Sequence, residues 1–162
     1  MAFPMQDQQQ SHWCWAAVTA SVDSFYSGAA ARTQCLVAGA VLGAGCCGAN
    51  GPLCNQAANL GNALSVIGRF RQRIVGRLSF DQLKAQIDGQ RPVGIRIQWR
   101  GAGGHYLLVT GYEAASSAQL VEVSDPALPD GLIPYDTLCE TYQNSERPGR
   151  SSGFWSHTYL LV

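Results

Sequence analysis

Residues 8–26 read QQQSHWCWAAVTASVDSFY, with one cysteine set between two tryptophans. Cys14, Val18, Val22 and Phe25 recur at the spacing of a single helix face, and Gly28 ends the pattern. Ser11 is the expected N-cap, because its hydroxyl can accept from the free amides of a first turn. That cap puts Cys14 at the third helical position, beside unsatisfied N–H groups and the positive end of the helix dipole, where a thiolate is favoured. A small thiol between Ala and Val would also suit a plain core. Its partners decide between nucleophile and filler.

Downstream the helical pattern continues. Thr33 opens the run QCLVAGAVLG, the loop AGCCGANGPLC follows, and Asn55 opens QAANLGNALSVIG, closed by Gly68. Ser79 with Gln82 three residues on makes a capping box for the helix FDQLKAQID, which stops at Gly89. Then the period shortens: PVGIRIQW, HYLLVTGY, AQLVEVSD and the terminal FWSHTYLLV are β-type runs, the second and third joined by a turn at EAASS. Helices first and antiparallel sheet second is an α+β layout. We expect one domain over residues 1–162, helical over about 11–68 and sheet-forming over about 69–162.

A chain of 162 residues can bury a real core without staples. Lys plus Arg equals Asp plus Glu at 11 each, with no run of like charge, which excludes the electrostatic footprint of a nucleic-acid or anionic-membrane binder. The weakly charged segment from Cys35 to Leu64 is broken by Gly, Pro and Asn, so it offers no span of about 20 apolar residues. The start MAFPMQDQQQ lacks the basic and apolar regions of a secretory signal. The expectation is a chain that stays inside, leaves by a signal-less route, or has had its signal trimmed.

Three histidines are candidates for the thiol's partner. His12, two residues from Cys14, falls on a different helix face and reads as a surface or loop residue. His157 sits mid-strand and reads as a satisfied sheet residue. His105 follows the flexible GAGG and opens an apolar strand, which leaves its ring at a sheet end beside vacated space. Asp125, in VSDP, ends the next strand. Two strands joined by a hairpin bring the start of the first beside the end of the second, so Asp125 can fix the His105 tautomer.

Gln8 six residues ahead of Cys14, the helix-opening WCWAA, then GHYLLVTGY, then VSDP after a hairpin together resemble the papain-like cysteine peptidases of bacteria. The resemblance is nearest to the AvrRpt-type effector proteases and more distant to the bacteriocin leader peptidases. It implies a papain-like fold in which the nucleophile helix packs on the C-terminal antiparallel sheet. It also implies Cys14 as nucleophile, His105 as general base and acid, Asp125 as orienting carboxylate, and Gln8 as the oxyanion-hole side chain, with Gln9 or Gln10 as alternatives if the loop is shifted. The Cys14 backbone N–H would be the second oxyanion donor. Trp13 and Trp15 would flank the thiol, one lining the cleft and one anchoring the helix.

Four more cysteines, Cys35, Cys46, Cys47 and Cys54, crowd the loop, while Cys139 stands alone. Their spacing is not that of a zinc site, and no metal or cofactor is expected. Disulfides are, as Cys35–Cys46 with Cys47–Cys54 or as Cys35–Cys47 with Cys46–Cys54. Bridged, the protein works in an oxidising place, secreted or delivered outside the producing cell. The expected activity is thiol endopeptidase action on a protein or peptide by a monomer. A deamidase, transglutaminase-like enzyme or cell-wall amidase would use the same residues, and a non-catalytic module would only hold a peptide.

Overall fold

The computed structural model describes residues 1–43, 45–115, 118–142 and 152–162. Helix α1 spans Cys14–Ser27, α2 Gln34–Leu42 and α3 Leu60–Val66. Strand β1 covers Phe70–Val75 and helix α4 covers Phe80–Asp88. Strands β2 (Val93–Trp99), β3 (Gly104–Ala115), β4 (Ala118–Asp125) and β5 (Leu128–Pro134) follow, then helix α5 (Tyr135–Glu140) and strand β6 (Gly153–Leu161). The six strands form one antiparallel sheet in the order β1-β6-β2-β3-β4-β5, so the fold is α+β as the periodicity implies.

Both faces of the sheet are covered. Leu107, Leu108 and Val109 are successive and all fully buried, which an exposed-face strand would not tolerate. Leu108, Tyr159 and Leu161 pack with α1, α2 and α3, while Leu107, Val109, Ile95 and Ile97 pack with Leu83 and Ile87 of α4 and Leu138 of α5. Each such aliphatic side chain contributes about 1.5–3 kcal/mol by its burial. Central β3 is therefore a rigid base for anything mounted on its first residues.

Several local expectations change. Ser11 does not cap α1, which begins at Cys14 with Trp13 as N-cap residue and no side-chain cap. The Ser11 hydroxyl instead accepts from Asn55 Nδ2 at 2.9 Å, while Asn55 Oδ1 accepts from His12 N at 2.8 Å. Cys14 is thus the first helical residue, not the third. Asn55, occupied by this bridge, does not open α3. Asn59 does, its side chain accepting from Gly61 N at 2.8 Å. The Ser79–Gln82 capping box forms as expected. The expected EAASS turn begins later than its first residues: Glu113, Ala114 and Ala115 still pair with β4 as part of β3, and Ser116 and Ser117 lie outside the described residues.

The cysteine-rich loop closes as Cys35–Cys47 and Cys46–Cys54, the second of the two pairings left open by the sequence. Loops of 12 and 8 residues closed this way stabilise by about 2–4 kcal/mol each through the unfolded chain. Among the described residues no helix is long and apolar enough to cross a membrane.

Candidate active site

The N-terminal strap runs over the sheet end before it reaches α1. Gln8 N donates to Pro126 O at 2.8 Å, which ties the strap to the turn after Asp125, and Trp13 N donates to Gln10 O at 3.0 Å, which turns the chain into the helix. Both tryptophans then anchor that helix. Trp13 Nε1 donates to Cys54 O at 2.8 Å and Trp15 Nε1 to Gln56 O at 3.0 Å, and both rings are buried. The expected division of labour is therefore corrected: neither ring is spared from anchoring, and Trp15 alone also lines the cleft.

An open cleft of about 450 Å³ lies between the start of α1 and the sheet end. Gln8, His12, Cys14, Arg96, Trp99 and His105 are among its walls. Cys14 is half-buried and free of any disulfide. The N-cap residue of α1 makes no side-chain cap, and among the described residues no side chain is bonded to the amides of its first turn, which are left for a bound oxygen.

His105 is the second residue of β3, opposite Ile97, and Gly104, which opens the strand, is required by packing: a Cβ there would meet Ile97 O at 2.6 Å. His105 Nε2 lies 2.7 Å from Asp125 Oδ1, with both side chains buried. The same oxygen accepts from Ala127 N at 2.8 Å, and Oδ2 accepts from Tyr142 Oη at 2.6 Å. With Nε2 held by the carboxylate, Nδ1 is the nitrogen left for Cys14, and both residues line the same cleft. The hairpin has thus brought the start of β3 beside the end of β4, and both beside the thiol.

Burial alone would strip the His105 proton, but the Asp125 charge and hydrogen bond, with a smaller contribution from Cys14, push the imidazole up to about 10. Burial likewise would raise the Asp125 carboxyl. The facing His105, then Tyr142 and the Ala127 amide, hold it below the usual carboxylate range instead. The pair is built to keep imidazolium and carboxylate together at neutral pH.

Tyr142 gave no signal in the sequence. It lies outside the helical and strand patterns, 17 residues from Asp125, and is placed by an antiparallel bridge to Gly153, whose N–H donates to Tyr142 O at 2.6 Å. Burial and the adjacent Asp125 push its phenol far up, so it remains a donor. Trp99 covers both partners, stacking on His105 at 6.2 Å and on Tyr142 at 6.4 Å between centroids. Gly153 permits this, because a Cβ there would meet Trp99 at 2.7 Å.

The remaining candidates are placed as follows. Gln8 lines the cleft, its Nε2 donating to Gln10 O and Ser11 O, both at 3.1 Å, while its buried Oε1 has no partner among the described residues. Gln9 and Gln10 do not line this cleft. They line the adjoining groove with Asp7. His12 is exposed on the cleft rim, and His157 sits on β6 with Nδ1 3.1 Å from Ser156 Oγ, outside the cleft. Cys139 is a buried free thiol in α5. Among the described residues no three His, Cys, Asp or Glu side chains are grouped as metal ligands would be.

A buried His–Asp pair facing a thiol at an uncapped helix start can run acyl transfer. No curated protein matches the chain. A model of the Peptidase_C39 like family matches residues 1–152, nearly the whole length, and the helices ahead of a six-stranded antiparallel sheet agree with a papain-like peptidase fold.

Proposed function

The chain belongs to the Peptidase_C39 like family, and from that membership and the cleft we propose that it is a thiol endopeptidase acting through Cys14, His105 and Asp125. The observation that carries the proposal is the 2.7 Å contact of His105 Nε2 with Asp125, which leaves Nδ1 to a thiol in the same cleft. The Cys14 thiolate attacks a peptide carbonyl carbon, and the carbonyl π electrons move onto oxygen. The Cys14 N–H stabilises that oxyanion. Gln8 joins it by exchanging one of its two loop carbonyl bonds for the oxyanion. As the C–N bond breaks, His105 gives its proton to the leaving amine. His105 then takes a proton from water, whose oxygen attacks the thioester, and the departing thiolate restores the starting pair.

The substrate is a protein or peptide, and residues 1–162 act as one peptidase domain, as a monomer. The order of the motifs supports an AvrRpt-type effector protease. Two disulfides support work outside the producing cell, since such bridges form and persist in oxidising surroundings. Incubation with a mixture-based peptide library, read by mass spectrometry, tests the reaction: hydrolysed peptide bonds that vanish in Cys14→Ala are expected. Conversion of glutamine side chains with intact backbones would replace peptidase by deamidase.

A further inference from the structure

Arg96 lines the cleft and carries a full positive charge that the acyl-transfer chemistry does not use. It projects from β2, half-buried, into the wall shared with Cys14 and His105. Its Nη1 donates to Gln98 Oε1 at 2.6 Å and to Ser156 Oγ at 3.2 Å, and Ser156 Oγ in turn donates to Arg96 O at 3.0 Å. These neutral groups fix the guanidinium without neutralising it. Arg32 and Arg77 pair with Asp23 and Glu140, yet among the described residues Arg96 has no carboxylate partner. Asp7, the acidic residue nearest in sequence to the strap's cleft residues, lines the adjoining groove and not this one.

The fold keeps room for this cation. A Cβ at Gly104 would lie 2.9 Å from Arg96 Nη2 and 3.0 Å from Cζ, so only glycine lets the guanidinium lie against the strand one residue ahead of His105. Nε and Nη2 make no hydrogen bond among the described residues, which leaves part of a planar fork of donors without acceptors. The guanidinium is therefore fixed in the wall of an open cleft with part of its donor set free to bind an anion. A carboxylate matches the fork, accepting two parallel N–H bonds.

We infer that Arg96 is a specificity-determining residue that receives a carboxylate of the substrate, making peptides with an acidic side chain near the scissile bond the substrate class. The inference rests on the peptidase reading of the same cleft. A free C-terminal carboxylate shares this chemistry, so the test separates the two sources.

Pairs of peptides differing by Glu against Gln at each position around the cleaved bond are compared with the same sequences ending in free acid or amide. For the wild type, kcat/KM is expected to favour Glu by about tenfold at one position, the value of one charge-assisted contact in an open cleft. That preference should fall to near unity in Arg96→Gln and reverse toward Gln in Arg96→Glu. Circular dichroism and the melting temperature confirm that each variant is folded, and Arg96→Lys, which keeps the charge, should retain part of the preference. A preference for free acid over amide ends, lost in Arg96→Gln, would assign the site to the chain terminus and overturn the side-chain class. Cleavage without any acidic preference would overturn the inference and leave the peptidase reading standing. If nothing is cleaved, the peptidase reading fails, and the same peptides are titrated against Cys14→Ala. Binding that favours Glu and is lost on adding Arg96→Gln would still support the anion site, and indifference to Glu would overturn it.

Discussion

Replacing Tyr142 with Phe removes one hydroxyl and leaves the ring under Trp99. The lost bond is a 2.6 Å donation to a carboxylate, with both residues buried. A hydrogen bond to a charged group is worth about 1.5–3 kcal/mol. For a chain of this length, that corresponds to a fall of roughly 3–12 °C in melting temperature. Asp125 keeps its other two donors, so its position is loosened and not lost. The folded Asp125 carboxyl lies below its usual value, so its contribution is full above about pH 4 and is lost as pH falls through the depressed value. Removing Tyr142 raises that folded value toward the unfolded one, and acid unfolding moves to higher pH. As a positioning residue, Tyr142 should affect kcat by about tenfold with little change in KM. Thermal and acid melts of Tyr142→Phe, with steady-state kinetics on one cleaved peptide, check all three. An unchanged melting temperature and acid midpoint would refute the argument that Tyr142 holds the carboxylate.

The His105 imidazole is raised to about 10, so its charged-state stabilisation is present below about pH 6.5 and is lost as pH rises through about 10. Activity and stability should fall together on that alkaline limb, and His105→Ala should remove it from the melting profile. Gln8→Ala should cost on the order of a hundredfold in turnover, the usual loss of one oxyanion donor, with Cys14 alkylation unchanged. An equal fall in alkylation would show that Gln8 acts only through the strap. Strong reduction should open the Cys35–Cys47 and Cys46–Cys54 bridges and lower the melting temperature, because the loop they brace also receives the Trp13 and Trp15 indoles. An identical melt with and without reductant would contradict this.

Features with local causes were legible in the sequence. The Ser79–Gln82 box needs only four consecutive residues, and β2, β3 and β4 announce themselves by apolar β-type runs between turns. The thiol, the histidine and the carboxylate were each marked by position at the end of an element. Features decided by distant contacts were not legible. Ser11 looked like a cap until Asn55, 44 residues away, took its hydroxyl. Strands β1 and β5 are the sheet edges, where exposed FRQRIV and proline-bracketed LPDGLIP lack a clear alternating face. Tyr142 is placed by a bridge to Gly153, a contact no local pattern encodes.

The central claim is that His105 activates Cys14. Alkylation by iodoacetamide at neutral pH, mapped by mass spectrometry in the wild type and in His105→Ala, tests it directly. Cys139, the other free cysteine, is an internal control, because it is buried and burial pushes its thiol up. The account predicts rapid labelling confined to Cys14 and a slowing of at least about tenfold in His105→Ala. Equal Cys14 labelling rates in the two proteins would contradict it.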